Sequence, residues 1–117
     1  MDNLEVKKTI AKLSVNGVIS KENQFKLFET YHKDLEKGID KGESVARTVL
    51  ILANEKLLLK FLPKIVKGIS CVDIESELYF TAKLALIKAV DTFYINKNIC
   101  FSTYAFAVIN NSVLQYL

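Results

Sequence analysis

A chain of 117 residues with one proline and four glycines has little with which to build tight turns. A sandwich or barrel of short strands needs such turns at frequent intervals, and proline and glycine supply most of them. The scarcity argues against a turn-dense β fold, and together with helical apolar spacing it makes an all-α chain, a compact bundle of about five helices, the expectation. The length fits one domain, at the common size of about 100–150 residues. Half the residues are hydrophobic and a quarter are charged, which excludes a wholly disordered or collagen-like chain. No purely apolar run reaches the roughly 18 residues of a spanning helix. The opening MDNLEVKKTIAKLSVNG is charged where a signal peptide is apolar, so a cytoplasmic location is expected.

Apolar spacing predicts five helices and no strands. The first runs from about Asp2 to Val15, with Leu4, Ile10 and Leu13 apolar, and Asn16-Gly17 breaks it. Ser20 is placed to cap the second, which carries Phe25, Leu27, Phe28, Tyr31 and Leu35, with Gly38 as its stop. The third starts near Ser44. Leu50, Ala53, Leu57 and Phe61 form one row, and Leu58, Leu62, Ile65 and Ile69 a second. Pro63 is expected to kink or split it. Asp73 is the expected cap of the fourth helix, whose stripe is Leu78, Ala82, Ala85, Leu86, Ala89 and Phe93. Because Tyr79, Leu84, Ile87 and Val90 lie outside the stripe, that helix is apolar nearly all round, as a central helix is. Ser102 is the expected cap of a fifth helix with Tyr104, Ala105, Val108, Ile109, Val113 and Tyr116.

The net charge is +3 and the pI near 8.8, which permits nucleic-acid contact without demanding it. From Leu78 onward only Lys83, Lys88, Asp91 and Lys97 are charged. An apolar segment of this kind is core or a face awaiting a partner, covered by a further domain or a second copy of the chain. Cys71 and Cys100 belong to no CxxC pair and read as reduced thiols, with no metal or other cofactor implied. His32 is the only histidine and lies in a polar stretch expected at the surface. Asp73, Glu75 and Glu77 cluster at a helix start, where the dipole favours acids. With no Gly-rich phosphate loop and no calcium-loop spacing, a non-enzymatic role is expected.

Two blocks carry a family resemblance. One is Leu86-Ile87-Lys88-Ala89-Val90-Asp91-Thr92-Phe93. The other, after a seven-residue gap, is Phe101-Ser102-Thr103-Tyr104-Ala105, followed by Ile109. Upstream stand Leu52-Ala53-Asn54 and Leu57-Leu58. Over residues 44–117 the chain resembles region two of bacterial sigma factors, the promoter-recognition subunits of RNA polymerase. The ending is most similar to sporulation-type members, and residues 1–43 resemble the preceding helices only loosely.

The resemblance implies a role in transcription initiation. The fourth helix would dock on a coiled coil of the largest, β′-type, subunit of core RNA polymerase, with Glu77, Phe80, Thr81, Lys83 and Ile87 at the contact positions. The fifth would recognise or melt the minus-ten element of promoter DNA. Tyr104 matches the family's stacking tyrosine. Phe101 stands in the same block, Asn110, Asn111 and Leu114 fall at base- or backbone-contacting positions, and Lys97 is placed for phosphate.

The departures are specific. Phe80-Thr81 replaces a polar–acidic pair, Ala107-Val108 stands where many primary sigma factors have two tryptophans, Asn110 replaces a common basic residue and Asn98 a frequent turn glycine. The DNA face is under-charged, so weak binding by the isolated chain is expected. A downstream minus-thirty-five-reading domain is also missing from the sequence. The expectation is therefore an excised domain, a split factor completed by a second polypeptide, or a degenerate relative. The alternative function is a non-catalytic interaction module of sigma-like fold that binds polymerase or another protein without reading DNA. The aromatics Phe101, Tyr104 and Phe80 each have a second reading as core residues.

Overall fold

A computed structural model describes residues 8, 14–15, 18–69, 72–95 and 99–117. The chain is all-α, with five helices among the described residues: α1 (Lys21–Glu36), α2 (Val45–Asn54), α3 (Lys56–Ile65), α4 (Glu77–Thr92) and α5 (Phe101–Tyr116). It divides into two compact units, residues 1–53 and 54–117. The division falls at the end of α2.

The first unit corrects the reading of the N-terminal stretch. Most of the first expected helix lies outside the described residues, though Lys8 is helical. Its expected end at Val15 is instead an antiparallel pair, β1 (Ser14–Val15) on β2 (Val18–Ile19), with Val15 opposite Val18. The sequence between them is Asn16-Gly17, the dipeptide that most favours a two-residue hairpin loop. It marks a chain reversal as readily as a helix end.

Ser20 caps α1 as its position predicts, accepting from the Asn23 N–H at 3.1 Å. The helix ends in a Schellman motif. Gly38 N–H donates to Leu35 O and Ile39 N–H to Asp34 O, both at 3.0 Å. Gly38 at φ +85° takes the left-handed conformation that motif needs. Ser44 then joins α1 to the head of α2. Its hydroxyl donates to Asp34 Oδ2 at 2.9 Å and accepts from Arg47 N–H at 3.3 Å. A serine so deeply buried requires that satisfaction. Phe28, Tyr31, Ala46, Val49 and Leu50 are also buried. His32 is half-buried, beside the rings of Phe28 and Tyr31, rather than in a wholly polar surface.

In the second unit α3, α4 and α5 pack around Leu58, Leu62, Leu86, Val90, Ile109 and Val113. The expected third helix is divided at Glu55, between α2 and α3, and not at Pro63. Pro63 lies inside α3, two residues before its end. There the missing donor disturbs only the last turn, on a side where Leu59 and Pro63 are exposed and water can satisfy the freed carbonyl.

Two expected caps move. α4 is capped by Ser76, which accepts from Tyr79 N–H at 3.1 Å, while Asp73 shapes the turn before it through Glu75 N–H. α5 starts at Phe101, with Cys100 at the cap position and no side-chain cap bond. Ser102 is therefore already helical. Burying Phe101 in one stripe with Ala105, Ile109 and Val113 requires it to be inside the helix.

Candidate nucleic-acid and protein interface

α4 and α5 run antiparallel, and both ends of the pair are tied. At one end Thr92 Oγ1 and Tyr104 Oη are 2.7 Å apart, and the Phe93 ring meets Phe101 edge-on at 5.4 Å and Tyr104 tilted at 5.5 Å. At the other, Tyr116 Oη donates to Glu77 Oε2 at 3.0 Å. That bond to a carboxylate, with partial burial and the carboxylate's charge behind it, holds the Tyr116 phenol above its ordinary value.

The buried stripe of α5 leaves an outward arc centred on Ala107. At 100° per residue, Tyr104, Asn110, Asn111 and Leu114 all fall on that arc. Asn111 is exposed, Leu114 is 53% exposed, and Tyr104 and Asn110 are half-buried at its edges. Four of the residues expected to touch DNA are thus brought to one face. Phe101 is not. It is 2% exposed and belongs to the core, the second of the two readings open to it. Lys97 and Asn98 lie outside the described residues, as does Cys71. Cys100 is exposed, its Sγ 3.3 Å from Ser102 Oγ and 3.2 Å from Thr103 Oγ1. α5 itself contains no charged residue.

α4 buries Ala82, Ala85, Leu86, Ala89 and Val90 and turns the opposite side outward. Phe80, 60% exposed, and Leu84, 51% exposed, occupy that side with half-buried Ile87. Phe80 is therefore not core. An all-round apolar helix need not be covered all round, because three helices cannot enclose one of their own members. Glu77 is exposed at the head of this face, and Thr81 and Lys83 are half-buried on its two flanks. Lys83 Nζ lies 3.1 Å from Glu55 Oε1. That oxygen is shielded from water and has no hydrogen-bond partner among the described residues, so the ammonium charge compensates it without a well-directed bond.

Sequence reasoning missed a groove of about 310 Å³ between α3 and α5. Leu57, Phe61 and Phe106 form its apolar floor, the two rings meeting edge-on at 5.0 Å. Lys60 and Lys64 from α3 and Ser102 and Thr103 from α5 line it with polar groups. The signal was present as lysines at i, i+4 spacing in KLLLKFLPKI. Spacing within one helix does not show which element faces those lysines.

The class these features define is an all-α protein with an uncharged amide-and-aromatic face, an apolar helix face and a lysine-lined groove. The chain matches no protein-family model, no curated protein and no solved structure. Among the described residues no helix is long and apolar enough to cross a membrane.

Proposed function

We propose that this chain is a sigma-like, non-catalytic module of transcription initiation, acting in the cytoplasm. In this reading α4 docks on the β′-type coiled coil of core RNA polymerase through Phe80, Ile87 and Glu77, with Thr81 and Lys83 at the margins. α5 turns Tyr104, Asn110, Asn111 and Leu114 toward the minus-ten element of promoter DNA. The sequence blocks Leu86–Phe93 and Phe101–Ala105 motivate it. The observation that carries it is the convergence of those four residues on one outward arc. An asparagine amide pairs with a base edge in both directions, and a tyrosine ring offers a stacking face.

A second reading has its own support. The absence of charge from α5 deprives it of the phosphate contacts that dominate DNA affinity, and the exposed Phe80 and Leu84 suit a protein partner. In that case the chain is an interaction module that binds polymerase, or another protein, without reading DNA.

A pull-down of the full chain with purified core polymerase, beside Phe80→Asp and Glu77→Lys, tests both. Capture by the parent chain and loss in the variants supports polymerase docking. Promoter fragments added to the captured complex then separate the readings: retention that Asn111→Ala abolishes supports DNA reading, and its absence supports the interaction module. No capture of polymerase at micromolar concentration overturns the sigma-like reading.

A further inference from the structure

The lysines of α3 are arranged against their own electrostatic interest. Lys56, Lys60 and Lys64 follow one another at i, i+4 along one side of a helix with no acid in its sequence. Like charges at that spacing destabilise a helix. Lys60 and Lys64 are exposed and have no ion-pair partner among the described residues. Both border the groove, and across it stand the hydroxyls of Ser102 and Thr103. Those hydroxyls lie 3.3 Å and 3.2 Å from Cys100 Sγ. Either atom of each pair can be the donor, and a thiol is a weak partner in both directions, so turning these hydroxyls toward a ligand oxygen costs little.

We infer that this groove is a phosphate-binding site for a nucleotide, with Lys60 and Lys64 neutralising the phosphate, Ser102 and Thr103 donating to it, and Leu57, Phe61 and Phe106 receiving the base or sugar. Phosphate suits this donor set better than a single carboxylate because it presents more acceptor oxygens to ammonium and hydroxyl groups converging from two helices. The apolar floor favours a nucleotide over inorganic phosphate alone. Thr103 lies at the edge of the outward arc of α5, beside Asn110, but the lysines and most of the apolar floor come from α3, and the site goes beyond the proposed function by locating positive charge that α5 lacks. The same chemistry is offered by a free nucleotide and by a nucleotide within a single strand.

The test measures binding of the full chain to inorganic phosphate, to AMP and to a fluorescent single-stranded dodecamer, over a range of salt. The Lys60→Gln/Lys64→Gln double variant is compared with Lys33→Gln/Lys37→Gln on α1, and thermal unfolding verifies that each folds. The site is expected to bind AMP or the dodecamer about tenfold more weakly in the double variant and unchanged in the control. For the dodecamer, the log–log salt slope should fall by about 1.4, at roughly 0.7 per lost phosphate contact. Loss with AMP assigns the site to a free nucleotide, and loss with the dodecamer alone assigns it to a strand. No binding of either, binding of inorganic phosphate as tight as AMP, or equal binding by the double variant and the parent overturns the inference. Asn111→Ala keeps the two proposals apart. Dodecamer binding lost in Asn111→Ala but kept in the double variant, with AMP binding also kept there, defeats the groove and spares the α5 face. AMP binding lost only in the double variant supports the groove whatever α5 does.

Discussion

Ser20 and Ser76 each accept a backbone N–H three residues on, and an alanine at either position removes a bond that the helix cannot replace. Ser20→Ala and Ser76→Ala should each cost about 1 kcal/mol in urea unfolding. Ser102→Ala, inside α5, should stay within about 0.5 kcal/mol. Only the first of these roles was legible in sequence. Asp73 and Ser76 are equally good caps on paper, and packing of the helix that follows chose between them. Ser102 looked like a cap until burial of Phe101 drew the helix start forward. Tyr116 carries a pH prediction. Its phenol is raised above the ordinary value of about 10 by Glu77, so the folded state holds that proton more tightly than the unfolded chain. The tie it makes between α4 and α5 is fully present below about pH 10 and is lost as pH rises through the raised value. NMR titration of the tyrosine ring carbons should find Tyr116 titrating above an unperturbed tyrosine in the parent, and moving down in Glu77→Gln.

Helices that look alike in sequence differ in what their ends tolerate. Gly38 occupies a left-handed position with nothing within 4 Å of an added Cβ, so Gly38→Ala meets no clash and pays only for its backbone, about 1 kcal/mol. In α4, Leu86 is fully buried and Leu86→Ala should cost about 2–5 kcal/mol. Phe80→Asp, on the opposite side, should leave stability within about 0.5 kcal/mol, which is why it can report on partner binding. The apolar stripe of α4 was readable from its period, including Ala82, Ala85, Leu86 and Ala89. The burial of Val90 and the exposure of Phe80 and Leu84 were not. In a helix apolar on every side, hydrophobicity carries no directional information, and the neighbouring helices decide which side is covered. The break at Glu55 was likewise unreadable, because no proline or glycine marks it.

At the scale of the whole molecule, a net charge of +3 predicts shallow electrostatics. Binding of the full chain to single-stranded DNA should show a salt slope no steeper than about −2 to −3, as expected if Lys56, Lys60 and Lys64 supply most of the phosphate contacts. Anisotropy between about 50 and 200 mM salt checks this, and a markedly steeper slope would place the positive charge elsewhere. By itself the sequence determined that the chain is all-α, because turn-forming residues are scarce and apolar residues recur at helical spacing. It determined the cap at Ser20, the stop at Gly38, the buried Leu58, Phe61 and Leu62 of α3 and the buried Ala82, Ala85, Leu86 and Ala89 of α4, since all of these depend on neighbours within a turn or two. The tertiary structure alone decided that Phe101 is core, that Phe80 is surface, and that Lys60 and Lys64 share a groove with Ser102 and Thr103. Those outcomes depend on which side of one helix meets another some forty residues away, and a pattern confined to one helix does not encode that meeting.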